Sequence, residues 1–259
     1  MGALHAGHAA LIRQARRLAG PDGSVAVSIF VNPTQFGPKE DLAKYPRPFA
    51  EDRALCGRSG VDLLFHPSPE EMYAPDASVS VGEKELSLGF CGASRPGHFN
   101  GVCTVVSMLF NILEPDVAVF GEKDWQQVAV IRRMVRDLKM PYKIATHPTV
   151  REEDGLAMSS RNRLLSPAAR GVAPRIYQAL LAAAMEAEAG EKSAVRLRTG
   201  LKNDLAAIPG ASLDYAEIVN EVTLIPLKKL GRRIKARALV AIRLGSVRLI
   251  DNLPIPFPR

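Results

Sequence analysis

The chain has 259 residues, 47% of them apolar and 24% charged, with a mean hydropathy near zero, as expected of a soluble globular protein with one large domain or two. Its net charge of +7 arises entirely after Thr149: Lys and Arg balance Asp and Glu at 16 each up to that residue, against 18 and 11 from Val150 onward. No window approaches the roughly 18 uninterrupted apolar residues of a membrane span, no secretory signal opens the chain, and Cys56, Cys91 and Cys103 form no CxxC pair, so reduced thiols in a cytoplasmic protein are expected.

In chain order, the apolar spacing predicts a helix over Ala9–Leu18, then a β-rich run Val25–Val31 closed by Asn32-Pro33. A helix over Ala50–Ser59 leads to a strand at Val61–Phe65, and a helix over Val102–Leu113 leads to a strand at Asp116–Phe120. Trp125–Leu138 places Val128, Ile131 and Val135 on one stripe with Arg132, Arg133 and Arg136 turned away, and Lys143–Thr146 is a weaker fourth strand. Strands alternating with helices predict a parallel sheet covered on both faces, a domain of residues 1–149. From Val150 the order changes. One long Ala-rich helix over Ala168–Ala189 and another over Ala194–Ala206 precede strands at Leu213–Val219, Ala238–Leu244 and Arg248–Ile250, a smaller α+β domain of residues 150–259. The polar break Glu152-Glu-Asp-Gly155 suits a hinge between the two.

Several polar clusters could carry chemistry. His5 and His8 are three apart, which puts them on one face of a helix beginning near Met1. Gly2 and Gly7 clear space for a nucleotide, and a helix N-terminus with two imidazoles suits phosphate. The alternatives are a metal pair or two exposed histidines. Asn32-Pro-Thr-Gln-Phe-Gly37 follows a strand, where open parallel sheets bind ligands, and Asn32 and Gln35 can bond hydroxyl or carboxylate groups, although taken alone a simple turn stabilised by Asn-Pro is the favoured reading. Gly121-Glu-Lys-Asp-Trp-Gln-Gln127 offers Lys123 to polyphosphate and Asp124 to ribose; Asp124 and Gln127 also stand at capping-box spacing. Met158-Ser-Ser-Arg161 forms a compact set able to grip phosphate, although alone a polar loop is the better reading, and Ser94-Arg-Pro-Gly-His-Phe99, a turn carrying Arg95 and His98, leaves the same two readings open. Neither a P-loop nor a GxGxxG fingerprint is present.

The order of these motifs, from His5-Ala-Gly-His8 through Asn32–Gly37, Ser94–Phe99, Gly121–Asp124 and Asp154–Asn162 to Arg248-Leu-Ile-Asp-Asn252, resembles the pantothenate synthetase (pantoate–β-alanine ligase) family across essentially the whole chain. The resemblance implies an α/β fold: a Rossmann-like nucleotidyltransferase domain with a parallel sheet, related to class I aminoacyl-tRNA synthetases, plus a smaller α+β C-terminal lid. It implies that (R)-pantoate and MgATP form a pantoyl adenylate, which β-alanine then converts to pantothenate and AMP. Carried over residue by residue, His8 is catalytic, with His5 and Lys123 assisting at the phosphates. The ATP site takes Met1, Gly2, Ala3, Leu4, His5, Ala6, Gly7 and His8. Gly121, Glu122, Lys123 and Asp124 join it, with Val150, Met158, Ser159, Ser160 and Arg161 from the second domain. Gln35 and Gln127 contact pantoate, Gln35 also lying near β-alanine. Mg2+ travels with ATP, no metal ligand being assigned, and the family is a cytoplasmic homodimer with no nucleic-acid or membrane partner.

Family members carry a further segment before this Met, including a first strand, and an internally assigned start codon is the expected explanation. The competing readings are another HxGH nucleotidyltransferase that stops after nucleotidyl transfer and a folded but inactive truncated remnant. From a different class comes an RNA-binding module using the six basic residues between Lys228 and Arg237. The absence of interleaved aromatic residues there favours a solvated face, or a lid attracting a polyanionic small molecule.

Overall fold

The structure, a computed structural model, describes residues 2–37 and 42–258, with the backbone alone at Lys44. The chain divides into two compact units: Met1–Gly121 with Gln126–Pro148, and Glu122–Trp125 with Thr149–Arg259.

The first unit opens with α1 (Ala6–Ala19), β1 (Ala26–Ser28) and a 3-10 turn at Pro33–Gln35. It continues through α2 (Phe49–Arg58), β2 (Leu63–Phe65) and the single turns α3 (Pro69–Met72) and α4 (Cys91–Ser94). The long helix α5 (His98–Leu113), β3 (Val117–Gly121), α6 (Trp125–Asp137) and β4 (Lys143–His147) complete the order. The predicted parallel sheet takes the form of two parallel pairs, β1 with β2 and β3 with β4, and no strand among the described residues joins them. Helix α1 serves both. Its Ile12 packs with Val25, Val27, Ile29 and Cys56, while Gln14 Nε2 donates to the Thr146 carbonyl at 2.9 Å. Helix α6 buries Val128, Ile131 and Met134 on one stripe, and Arg132 and Arg136 lie exposed on the other face.

The second unit holds α7 (Pro167–Val172), α8 (Arg175–Glu188) and α9 (Ala194–Ala206), then β5 (Ala211–Asn220), β6 (Ala236–Leu244) and β7 (Val247–Ile255). The single helix expected over Ala168–Ala189 is interrupted before Arg175, where Pro174 has no N–H to continue the ladder. The sheet is antiparallel in the order β5-β6-β7. Central β6 is buried along nearly its whole length, its Val240 and Ile242 sharing a core with Leu180 and Ala183 of α8 and Leu197, Leu201 and Leu205 of α9. Strand β7 runs well past the expected Arg248–Ile250. It tolerates Pro254 because an edge strand needs hydrogen bonds on one side alone. The polar break Glu152–Gly155 is the turn of a tight hairpin, with Arg151 bridged to Ala157 and the Glu152 N–H donating to the Leu156 carbonyl at 2.8 Å. Arg170 binds both Glu152 (2.6 Å) and Asp154 (2.5 Å) across that turn. Among the described residues, no helix is long and apolar enough to cross a membrane.

Two buried carboxylates fasten the segments that matter most below. In the first unit, Asp52 on α2 accepts from the N–H of Ala3 (2.9 Å) and of Leu4 (2.6 Å) while itself 2% exposed. These bonds hold Ala3 in the left-handed region, at φ 49°, where a non-glycine residue is strained. In the second unit, Arg151 makes a two-point pair with Asp251 of β7 (2.7 and 3.0 Å) and stacks on the Tyr177 ring at 3.7 Å. Burial pushes the Asp251 carboxyl upward, and the Arg151 guanidinium pulls against that shift.

Two outcomes follow from these anchors. Asp52→Asn keeps the shape but replaces one acceptor oxygen by an NH2 group facing a backbone donor. Its urea unfolding midpoint should fall by the equivalent of about 1–3 kcal/mol, the cost of a buried group left unpaired. Arg151→Met leaves a buried carboxyl without its cation and should cost about 3–5 kcal/mol where that carboxyl is ionised. Without Arg151 the folded-state pKa of Asp251 climbs further above the unfolded value of about 3.9. Stability gained by keeping the carboxyl protonated is complete below that value and is lost as pH rises through the folded-state one. The variant should therefore unfold at lower urea at pH 8 than at pH 5 relative to the parent; equal losses at both would refute the account.

Candidate active site

The candidate residues fall into clusters within each unit. In the first, the chain passes from the loop held by Asp52 directly into the histidine pair. His5 is the N-cap of α1, extended at φ −139°, and so lies before the helix instead of on its face as the spacing had suggested. Its Nδ1 accepts the Gly7 N–H at 3.1 Å, and His8 Nδ1 accepts the His5 N–H at 3.2 Å. This is a capping box made of two imidazoles, with ring centroids 4.1 Å apart. A nitrogen that accepts carries no hydrogen, so each neutral ring bears its proton on Nε2, the atom farther from the backbone. The cap thus sets both tautomers as Nε2–H donors suited to an anionic oxygen. Gly2, Ala3 and Leu4 are buried, the last two with their amides engaged by Asp52, and Ala6 is exposed. Met1 lies outside the described residues.

Gln35 ends the 3-10 turn at Pro33–Gln35, and two residues of the Ser94–Phe99 motif meet its backbone. His98 Nδ1 lies 2.9 Å and Arg95 Nη2 3.2 Å from the Gln35 carbonyl, while Arg95 Nη1 lies 3.1 Å from His98 Nε2. Arginine can only donate, so His98 Nε2 accepts and its Nδ1–H donates to Gln35. The turn also lies against α5 at Gly101, where a Cβ would overlap the Thr34 carbonyl and the Gln35 nitrogen. Asn32, a candidate ligand contact from the sequence, is instead a structural cap. It is buried, donates to the Gly101 carbonyl at 3.1 Å, and accepts from Thr34 N–H, Thr34 Oγ1 and the Tyr73 hydroxyl. Gln127, half-buried, stands in the first turn of α6 beside buried Gln126, whose Nε2 donates to the Leu86 and Gly89 carbonyls, both at 2.8 Å. The Asp124–Gln127 capping box that the spacing also allowed does not form among the described residues. Asp124 closes a 3-10 turn, Glu122–Asp124, that runs straight into α6, so it lacks the extended backbone of a cap.

Gly121 ends β3 opposite His147, and the next four residues group with the second unit. There Asn252 Nδ2 donates to the carbonyls of Glu122 (2.8 Å) and Lys123 (2.9 Å), and its Oδ1 accepts from Arg237 Nη1 at 2.7 Å. Arg237 reaches the Glu122 carboxylate from both terminal nitrogens at 3.3 Å and stacks over the Trp125 indole at 3.5 Å. Trp125 Nε1 in turn donates to the Glu221 carbonyl at 2.9 Å. Lys123 Nζ lies 3.9 Å from the Asp124 carboxylate. The basic run Lys228–Arg237 therefore ends in a buried, paired arginine, while Lys228, Lys229, Arg232, Arg233 and Lys235 are exposed.

In the same unit the Met158 N–H donates to the Val150 carbonyl at 3.0 Å, closing the hairpin. Ser159 Oγ accepts the Arg161 N–H at 3.2 Å and caps the 3-10 turn Ser160–Leu164. Asn162 Nδ2 donates to the Glu152 carboxylate (2.6 Å) and the Ala157 carbonyl (3.1 Å), tying this turn to the hairpin. Asp52 is the supporting residue that motif reading missed, and Asn252 and Arg237, which end a motif and the basic run, show there no sign of their supporting role. The spacing His5-x-x-His8 is that of a capping box, a local signal for the first cluster, whereas nothing local marks Asp52.

The family model described as Pantoate-beta-alanine ligase matches residues 1–254. The pantothenate synthetase of Thermotoga neapolitana is 52% identical over 252 residues, covering 97% of this chain and 88% of that protein. The crystal structure of pantothenate synthetase from Thermus thermophilus superposes with a TM-score of 0.94 at 49% identity, over 100% of this chain and 91% of that one. That of the pantoate-beta-alanine ligase from Francisella tularensis, complexed with beta-gamma ATP and beta-alanine, gives 0.77 at 35% identity over 98% and 87%. Sequence likeness and fold likeness both run the length of the chain and take in every cluster described above, and the chain belongs to the pantoate–β-alanine ligase family.

Proposed function

We propose that the protein condenses (R)-pantoate with β-alanine, using ATP, to give pantothenate, AMP and diphosphate through a pantoyl adenylate. A pantoate carboxylate oxygen attacks the α-phosphorus of MgATP, forming a P–O bond as the bond to the bridging oxygen breaks and diphosphate leaves. The β-alanine amine then attacks the acyl carbon and loses a proton, a C–N bond replaces the C–O bond, and AMP departs. No group on the protein need become covalently bound.

The observation that carries this reading is the reciprocal cap of His5 and His8, which commits both rings to the Nε2–H tautomer. Charge grows on phosphate oxygens as the first step proceeds, and pre-oriented donors are worth most where charge develops. His8 acts as the catalytic donor, with His5 and Lys123 assisting. Residues 1–149, through Gly2 to His8, Gly121 to Asp124, Gln35 and Gln127, supply the phosphate and pantoate contacts. Residues 150–259, through Val150 and Met158 to Arg161, supply further nucleotide contacts. Mg2+ enters as part of MgATP. The Francisella tularensis ligase with its ATP analogue and β-alanine supports the two ligand classes. A homodimer working in the cytoplasm completes the proposal.

Pantoate-dependent exchange of labelled diphosphate into ATP, without β-alanine, isolates the first step. The protein should support exchange, and a folded, ATP-binding protein that does not would overturn the adenylate route. His8→Ala should lower the exchange rate by about 10²–10³ through loss of a transition-state donor. Gln35→Ala should raise the apparent KM for pantoate about tenfold with that for ATP nearly unchanged, because a lost ground-state contact weakens one ligand. Equal movement of both constants would remove the pantoate assignment.

A further inference from the structure

The Arg248-Leu-Ile-Asp-Asn252 motif ends in a residue with no role in the reaction as written, yet its side chain meets the Glu122–Asp124 segment at two points. The two carbonyls that accept from Asn252 Nδ2, those of Glu122 and Lys123, belong to the peptide planes on either side of the Lys123 Cα. Fixing both planes fixes the Lys123 backbone dihedrals, and with them the direction in which its side chain leaves the chain. The second plane also leads into Asp124. Asn252 is itself buried and oriented by Arg237, whose guanidinium is held by Glu122, by Glu221 (3.7 Å) and by the Trp125 ring.

This cluster is a poor way to obtain stability alone. Arg237 is 4% exposed, and its Nε is one of two buried side-chain atoms left without a partner among the described residues. Well-packed apolar residues of similar volume would match or exceed a buried ion network in stability. What the polar cluster supplies is direction: a planar fork, a flat stack and a two-hydrogen amide each admit one geometry.

We propose that Asn252 and Arg237 are positioning residues for the nucleotide, acting through the backbone of Glu122 and Lys123 to aim Lys123 and Asp124 at ATP. The inference rests on the nucleotide reading of Lys123 and Asp124 given above. It assigns the C-terminal motif to ATP and not to pantoate, and it makes Trp125 the sensor of the segment.

Trp125 is the sole tryptophan of the chain, so its emission reports on this segment directly. Asn252→Asp is nearly isosteric: at pH 8 it keeps an oxygen for Arg237 but sets a carboxylate oxygen against the two carbonyls. Arg237→Lys keeps the charge beside Glu122 and Glu221 and loses the fork and the stack. Titration with magnesium and a β,γ-methylene ATP analogue, followed by Trp125 emission, gives nucleotide affinity, and the exchange reaction gives the pantoate KM. Both variants should unfold cooperatively, show a shifted Trp125 emission before ligand is added, and bind the analogue about tenfold or more weakly. The pantoate KM should stay within about twofold, the split a merely structural role would not produce. Analogue affinity within about twofold of the parent in either cooperatively folding variant would overturn the inference, as would equal losses for analogue and pantoate. If both variants fail to fold, the cluster is a stability element and the inference falls. A parent protein that folds but does not bind the analogue would instead overturn the nucleotide reading itself.

Discussion

The Asp52 carboxylate, buried in the first turn of α2, grips the N–H groups of Ala3 and Leu4 and so determines the path by which the chain enters α1. Ala3 pays for that path with a left-handed backbone, and the tautomers of His5 and His8 depend on the helix start that follows. A histidine ring has two nitrogens and chooses between them by the hydrogen bond each one makes. Here the local backbone decides, because both Nδ1 atoms are occupied as acceptors. Preorganised donors need no reorientation during reaction, which is the part this constraint plays in the proposed function of the first cluster.

The same device recurs throughout. Short turns that carry candidate ligand contacts are fastened through main-chain carbonyls and amides by side chains, some within or beside the turn and others from distant parts of the same unit. Asn32, His98 and Arg95 hold the turn at Pro33–Gln35; Asn252 holds Glu122 and Lys123; Asn162 ties Ser160–Leu164 to the hairpin. A net hydrogen bond in water contributes little, but a buried partner left unpaired costs far more, so each grip resists partial loosening. Loops can then be held to the tolerance that phosphate and carboxylate recognition requires, while the apolar cores of α1, α8, α9 and the sheets supply the bulk of stability.

Charge is distributed along the same lines. The basic residues after Thr149 include an exposed run, Lys228 to Lys235, and buried or half-buried arginines committed to carboxylates: Arg151 to Asp251, Arg170 to Glu152 and Asp154, Arg237 to Glu122 and Glu221. Paired arginines contribute geometry more than field. The hydrogen bond and charge of Arg170 hold the Asp154 carboxyl below its ordinary value, whereas burial outweighs Arg151 at Asp251. One pair sits at the rim of a turn and the other inside the sheet, and burial accounts for the opposite directions.

Much of this was legible in the residues. Apolar periodicity located the strands and most helices, since the 2.0 and 3.6 residue repeats are local properties of the backbone. Motif order pointed to the family and to the segments proposed to carry its chemistry. The sequence by itself thus determined, for most stretches, whether they are helix, strand or polar turn, and which turns carry the candidate site residues. It missed the break at Pro174, because the strong helix propensity of the surrounding alanines outweighs a single missing N–H in a reading by composition. It left Asn32 between a turn-stabilising role, the favoured reading, and a ligand contact, because an amide's choice between main chain and ligand is invisible without neighbours. Tertiary structure alone decided that choice, along with the partners of Asp52, of the Gln35 carbonyl and of Asn252. Those contacts span 48 and 49, 60 and 63, and 129 and 130 residues of chain. Hydrogen bonds over such separations are set by the packing of sheets and helices, which leaves no period or spacing in the sequence to read.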